Sequence, residues 1–536
     1  MSVWPLNRRR FLAASAAEVA LLAGCKADAQ LLGGFTGINH VRGHRLRDTQ
    51  TWPAPSVQRK TRVLIAGGGV AGLAAARALR LRGMEDFALL ELEDEAGGNA
   101  RGASVDGIAC PLGAHYLPVP GDDAPEVQSL LEELGLRQRV AGRWQYDERH
   151  LCHSPQERLF IHGAWQDGLL PTQGVGATTL QQYRRFAALV EQARKSVHWS
   201  IPAYRSPHNA WKRQLASTTF AAWLNQQALD DAYLRWYLDY CCRDDYGAGI
   251  ATVSAWAGIH YFASRHGFSA PGTDAAQLEG LLTWPEGNAW LTRRLSAPLG
   301  ARLHTGQIVL RVQEGKHAVE LDAFNTASQT VERWQAEQVI VALPVFVAAR
   351  VVQSAPDFLK HTAARTVYAP WLVANIHIAK PLYDRPGPAP SWDNVIYGDS
   401  AGAPGLGYVD AMHQSLLPVV SSTVLTYYRA LGDVQGGPQQ GRQLLLQRPW
   451  ADWRDAILGE LSVAHPDLPR KATRMDITRY GHAMAIPVPD TQGRVGQVPP
   501  AFGRIRFAHS DWAGYSVFEE AFALGHAAAT QVLPAA

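Results

Sequence analysis

Three glycines at fixed spacing are the first residues in this 536-residue chain whose types could do chemistry. Gly67, Gly69 and Gly72 fill a GxGxxG pattern. It follows a short apolar run of strand type, Arg62 to Ala66, and opens a segment of helical composition, Leu73 to Arg82. Strand, glycine turn and helix form the context in which this pattern holds a dinucleotide. Gly67 allows the tight turn, Gly69 lets the backbone approach a diphosphate, and Gly72 lets helix and strand pack closely. The diphosphate would rest on the free amides of Val70, Ala71 and Gly72, where the helix macrodipole favours negative charge. A second apolar run, Phe87 to Leu90, ends at Glu91. That is the distance at which a carboxylate accepts hydrogen bonds from a ribose.

The residues after Glu91 choose among dinucleotides. Gly97-Gly98-Asn99-Ala100-Arg101 resembles the second signature of the flavin-containing amine oxidase and phytoene desaturase superfamily. In that superfamily a ribose-binding Glu precedes a Gly-Gly-Arg loop beside the flavin. The resemblance implies FAD as cofactor, with Gly98, Asn99 and Arg101 near it. Asn99 stands where the family has Arg, and Arg101 is expected to supply that charge. Further matches follow along the chain. Cys110 to Tyr116 resembles the loop that enters the substrate side, and Val339 to Pro344 the strand and proline that leave the cofactor domain. By the same resemblance the backbone at Ile308 meets the adenine. Gly503 to Ala508 is similar to the closing strand, and Asp511 in the loop after it takes the place of the acid that binds the ribityl chain. Glu520 replaces a frequent Gly at the start of the last helix.

These residues need elements to hold them. The resemblance implies an α/β fold, with a Rossmann-type FAD-binding domain of glutathione-reductase type interleaved with a mixed α+β substrate domain. The expected cofactor domain takes residues 62–120, 281–344 and 500–536. The substrate domain takes 121–280, where apolar residues recur at helical spacing, and 345–499. Ahead of both, Arg8-Arg9-Arg10-Phe11-Leu12 resembles a twin-arginine export motif. The apolar stretch after it is too short to span a bilayer and closes in Leu22-Ala-Gly-Cys25, similar to a bacterial lipobox. Residues 1–25 therefore read as an export signal and 26–61 as a tether. The expected location is the bacterial periplasm, reached folded and with lipid attachment at Cys25. The net charge of +3 is small for the length, and no basic stripe with interleaved aromatics points to nucleic acid. Five cysteines include no CxxC pair and no zinc spacing. The adjacent pair Cys241-Cys242 reads as two small buried residues on a helix.

Flavin chemistry asks the protein to exclude water, orient a C–H bond and provide a route for protons. His482, in Arg479 to Met484, is the candidate for proton handling, since an imidazole titrates near neutrality. Trp512 and Tyr515, with Tyr480, are candidates for aromatic walls facing the cofactor. The lysine that amine oxidases carry near the flavin is missing from Tyr368 to Ala379. Asp244-Asp245, before Gly247, could hold a substrate ammonium or be paired to arginine at a helix end. Three functions remain open to the sequence. The first is oxidation of an amine or polyamine by hydride transfer to flavin, with oxygen or a quinone as electron acceptor. The second is desaturation or isomerisation of an apolar substrate. The third is a flavin-binding envelope protein without turnover. A cavity lined with carboxylates such as Asp244 or Asp245 would favour the first.

Overall fold

The computed structural model describes residues 31–49, 51–207, 209–272, 280–398, 405–413, 415, 421–489 and 498–532. The twin-arginine motif and Cys25 lie outside the described residues, as do 533–536 of the expected cofactor domain. The α/β architecture expected from the sequence is present, built on two separate sheets.

The first sheet runs Leu303–His304, Phe87–Leu90, Val57–Ala66, Thr330–Val341, Val319–Asn325 and Gln307–Glu314. Thr330–Val341 is long enough to change neighbours. Its first half pairs antiparallel with Val319–Asn325, and its last three residues pair parallel with Ile505–Phe507. The central strands are buried on both faces, which is why they read as unbroken apolar runs rather than alternating ones. The helix Val70–Leu81 packs on one face, with the C-terminal helix Phe518–Val532 against it. A Cβ on Gly72 would collide with the Gly67 carbonyl, and one on Gly525 with the Ala71 carbonyl. The helices approach this closely because those positions lack side chains. Gly67, at φ +108°, makes the turn itself.

The second sheet has the order Leu32–Thr36, Ala472–Ile486, Val367–Ile378, Thr423–Ala430, Tyr408–Asp410, Asp393–Ile396, Glu157–Ile161 and Ala164–Asp167. Val367–Ile378 lies at its centre and sends alternate side chains to opposite faces. Trp371 and Val373 join a core with the helices Ala177–Ser196, Ala232–Tyr246 and Ala255–Ala263. Leu372, Ala374 and Ile376 join another with Trp453, Ile457 and Leu461 of the helix Trp450–Ser462.

Two segments differ from the sequence reading. The tether expected at 26–61 is folded from Leu32 onward. Leu32–Thr36 pairs in parallel with Arg474–Thr478, His40–Asp48 is a helix, and the strand ending at Ala66 already begins at Val57. Gly33 looked like linker, but a Cβ there would strike the Met475 carbonyl, so the glycine serves a close strand approach. Val57–Thr61 is mostly exposed, and only its pairing with Glu332–Ala336 fixes it as strand. The second difference is in 121–280, expected to be helical. Short strands Arg137–Val140, Arg143–Tyr146, Glu157–Ile161 and Ala164–Asp167 interrupt it. Their tight turns at Ala141-Gly142 and His162-Gly163 have positive φ, a local feature that helical periodicity does not report.

Candidate functional site

Strand register brings the dinucleotide residues to one edge. Leu90 pairs with Ala66, Ala66 with Val341, and Val341 with Phe507. The loops that leave this row carry Glu91, the Gly67–Gly72 turn, the Pro344 exit and Asp511. Three strand spacings make the row roughly 14 Å wide. Residues far apart in sequence therefore converge at the carboxyl end of the sheet, the usual place for a ligand in such folds.

Glu91 is buried, with both oxygens fixed. Oε2 accepts from the Gly68 amide at 2.7 Å and Oε1 from the Glu93 amide at 2.8 Å. Burial raises its carboxyl against those bonds and Arg101. Each oxygen keeps a lone pair for a hydroxyl. The helix after the turn is capped by Gly69, which has no side chain to offer, and its first intrahelical bond runs from the Leu73 amide to the Gly69 carbonyl at 2.9 Å. The amides of Val70, Ala71 and Gly72 come before that bond. Gly98 faces Gly69 so closely that a Cβ on Gly98 would lie 3.1 Å from the Gly69 Cα. The Asn99 side chain, exposed to the groove, donates to the Ala483 carbonyl at 2.5 Å. Gln307 donates its amide to the Glu91 carbonyl at 2.8 Å, which sets Ile308 one residue from the carboxylate loop. Uncapped amides, a slot walled by two glycines and a fixed carboxylate with spare lone pairs fit the diphosphate and ribose of FAD.

Arg101 is turned away from the expected duty. It donates to the Gly98 carbonyl at 3.3 Å and to the Gly37 carbonyl at 2.8 Å, and pairs with Glu93 at 3.7 Å. Asp511 is held at three points. Its Oδ2 accepts from the Tyr368 hydroxyl at 2.7 Å and the Val345 amide at 2.9 Å, and its Oδ1 lies 3.1 Å from His509 Nδ1. Burial alone would raise this carboxyl, but His509 and those donors hold it below the ordinary range. Asp511 thus ties the closing strand of the first sheet to the central strand of the second.

The proton and wall candidates separate. His482 stays beside the groove, one residue from the carbonyl that Asn99 meets, with its ring tilted on Phe346 at 4.6 Å. The side chain keeps an exposed face, yet the protein around the rest of the ring and then Arg442 push its imidazole down to about 4. Trp512 is a correction: it packs between Phe507 and Phe358 in the core of the first sheet, because the turn Ser510–Ala513 points it inward. Tyr515 is a second correction. It is wholly buried, so it lines nothing, and its hydroxyl donates to Glu520 at 2.5 Å. Glu520 also accepts from the Ala203 amide, and burial raises it to about 7. No lysine lies on Val367–Ile378, and Lys380 is exposed beyond its end.

Three carboxyls that the sequence did not group converge on the other side. Asp393 and Glu157 are register partners on adjacent parallel strands. Tyr240 donates to Asp393 at 3.4 Å, and Asp244 follows Tyr240 by one turn on the same helix face. Burial and then Asp245 raise Asp244 to about 7, while burial and then the charges of Asp244 and Glu157 raise Asp393 well above its usual value; burial also takes Glu157 to about 7. All three keep some accessible surface although protein surrounds them. Aromatic rings adjoin them: Tyr116 stands edge-on to Trp392 at 5.8 Å, and His115 stacks on Tyr428 at 4.4 Å. Burial and then Asp244 push the Tyr116 phenol up. Asp245 is not part of this group. Arg265 pairs with it at 2.9 Å, both side chains buried. Asp244 has no ion-pair partner among the described residues. Cys241 and Cys242 are buried, and desolvation raises both thiols out of the reactive range. Among the described residues no cluster suits a metal, and no helix is long and apolar enough to cross a membrane.

The fold and groove define a flavoprotein of the amine oxidase type, and sequence comparison agrees. The profile of the flavin containing amine oxidoreductases matches residues 70–533, so the chain belongs to that family. Its cofactor is a flavin, and the groove takes FAD. Two curated relatives are similar over short stretches. Mitochondrial protoporphyrinogen oxidase of Nicotiana tabacum is 32% identical over 93 residues, 17% of this chain and 18% of that protein. Protoporphyrinogen oxidase 2 of Arabidopsis thaliana is 38% identical over 78 residues, 15% of each. These matches span less than a fifth of either relative. Among solved structures, wild-type putrescine oxidase bound to putrescine superposes with TM-score 0.66 at 17% identity, covering 89% of this chain and 99% of that one. Cyclohexylamine oxidase from Brevibacterium oxydans gives 0.63 at 18%, covering 88% and 98%. A fatty acid isomerase from P. acnes gives 0.59 at 13%, covering 88% and 98%. Such likenesses concern the fold.

Proposed function

We propose that this protein is an FAD-dependent oxidoreductase that oxidises an amine carrying a second cationic centre, such as a di- or polyamine. The observation behind this reading is the enclosed trio Asp244, Asp393 and Glu157. Three carboxyls forced together without a cation resist ionisation, and a bound ammonium removes that resistance. The adjacent faces of Tyr116, Trp392 and Tyr428 suit the same guest, since a cation gains from aromatic faces in a dry site. Bound FAD supplies the hydride acceptor. The chain binds the cationic end, excludes water and sets the reacting carbon at the other end. His482 offers a proton acceptor beside the groove. The electron acceptor fits oxygen or a quinone equally. The export signal supports a periplasmic location with attachment at Cys25.

A second reading, desaturation or isomerisation of an apolar substrate, is favoured by the lysine-free strand Val367–Ile378. Anaerobic mixing with a panel of mono-, di- and polyamines separates the two. Bleaching of the flavin absorbance with diamines, faster than with monoamines of equal length, supports amine oxidation. A flavin that no amine reduces removes it.

A further inference from the structure

We propose that the segment Gly37–Asp48 belongs to the cofactor site, as a strap that closes over the adenosine end of the groove and must open for FAD to leave. The segment lies ahead of the family match, which begins at residue 70. Its upstream end is anchored in the other domain, where Leu32–Thr36 pairs with Arg474–Thr478 and the Arg479 guanidinium sits 3.7 Å from the Phe35 ring. From there it crosses to the rim that carries Glu91. The Gly37 carbonyl accepts from Arg101, and the Asn39 amide donates to Glu93 at 3.1 Å. Arg42 donates to the Leu92 carbonyl at 2.8 Å and to Asp94 at 2.9 Å. One turn on, Arg45 lies over Phe324 at 4.4 Å, and Leu46 packs against the cluster of Ile308, Phe324 and Val331. The helix His40–Asp48 ends on the opposite rim, where Arg350 donates to the Leu46 and Arg47 carbonyls at 3.3 and 3.4 Å.

The strap therefore touches the loop after Phe87–Leu90 and the helix after Thr330–Val341. The strand between them, Val57–Ala66, leads into the glycine turn, so the strap passes from one side of the diphosphate site to the other. Its helix buries no residue. Apart from the partly buried Ile38 and Leu46, polar contacts and cation–π faces hold it, which makes it a separable closure.

The test uses full-length holoenzyme and follows flavin fluorescence after dilution, which needs no substrate and so stands apart from the amine reading. Arg42→Ala with Arg45→Ala removes the grip on the Glu91 rim. FAD release should accelerate on the order of tenfold, with a matching loss of affinity in reconstituted apoprotein. Release within about twofold of wild type, from a folded variant, overturns the proposal. The pair Gly43→Cys with Leu92→Cys tests the converse, because a Cβ on Gly43 would lie 3.8 Å from Cδ2 at the tip of the Leu92 side chain, which brings the two positions within reach of a cross-link. The oxidised, disulfide-closed protein should release FAD more slowly than wild type, and dithiothreitol should restore the rate. Equal release from oxidised and reduced protein also overturns the strap, whether or not the arginine variant folds.

Discussion

Asp244→Asn separates the cost of the carboxyl cluster from its use. Folding raises Asp244 from 3.8 to about 7, mainly through burial and then Asp245. That interval corresponds to about 4 kcal/mol between its neutral and ionised forms. The sign follows from proton binding. The unfolded chain releases this proton near pH 4, while the folded chain keeps it to about 7. Wild-type stability therefore falls as pH rises between those values and levels off above them. Asparagine stays neutral throughout. The variant should match wild type near pH 4 and exceed it by about 2–4 kcal/mol at pH 8, the lower figure allowing for repulsion that Asp393 and Glu157 continue to share. Binding should move the other way. A diamine is cationic at pH 8, and losing one charge-assisted bond of about 1.5–3 kcal/mol should raise KM roughly 10- to 100-fold, with less effect on kcat. Thermal unfolding at the two pH values and steady-state kinetics with a diamine check both halves. Equal stability differences at pH 4 and pH 8 would show that Asp244 does not ionise against its surroundings. An unchanged KM would refute its part in holding the amine.

Neighbouring Asp245 should respond in the opposite sense: Asp245→Ala leaves Arg265 buried without its carboxylate and should cost about 3–5 kcal/mol, read as a lower melting temperature at neutral pH. Gly72→Ala forces a Cβ into the Gly67 carbonyl and should cost about 3 kcal/mol or more, with protein purified free of flavin absorbance. Replacing Arg8 and Arg9 together by lysine should leave the protein in the cytoplasm with FAD bound, as cell fractionation and the flavin spectrum would report; normal export would remove the twin-arginine assignment.

The dinucleotide half of the site was legible because its determinants are local. Gly67 to Glu91 is one strand, turn, helix and strand, and each glycine answers to a contact a few residues away or on the next strand. Asp511 was legible only as a position after a strand. Nothing near it in sequence announces that Tyr368 and Val345 would occupy its oxygens. Trp512 and Tyr515 were read as cofactor-facing because they are aromatic and close to Asp511, yet the short turn Ser510–Ala513 directs the tryptophan into the first core, and the tyrosine is spent on Glu520. Residue type fixes what a ring can do, not which way a turn aims it. The N-terminal stretch misled for a related reason. Glycine, arginine and histidine without apolar period resemble a tether, but its order comes from strand pairing and arginine contacts to distant backbone, which leave no local signature.

The carboxyl cluster shows the same rule from the side of function. Asp393 and Glu157 carry no motif, and each alone would read as an ordinary surface acid. They meet because Asp393–Ile396 lies parallel to Glu157–Ile161, and Tyr240 then sets the helix bearing Asp244 over that pair. A fold gains nothing in stability from this arrangement, since each member is held away from its preferred ionisation state. The neighbouring Asp245 has what a structural acid needs, a buried arginine at 2.9 Å. Asp244, one residue earlier and beside Asp393 and Glu157, has none among the described residues. The contrast between two adjacent aspartates, one compensated from within the chain and one left to be compensated by a guest, is the physical reason to look for a cation beside Asp244.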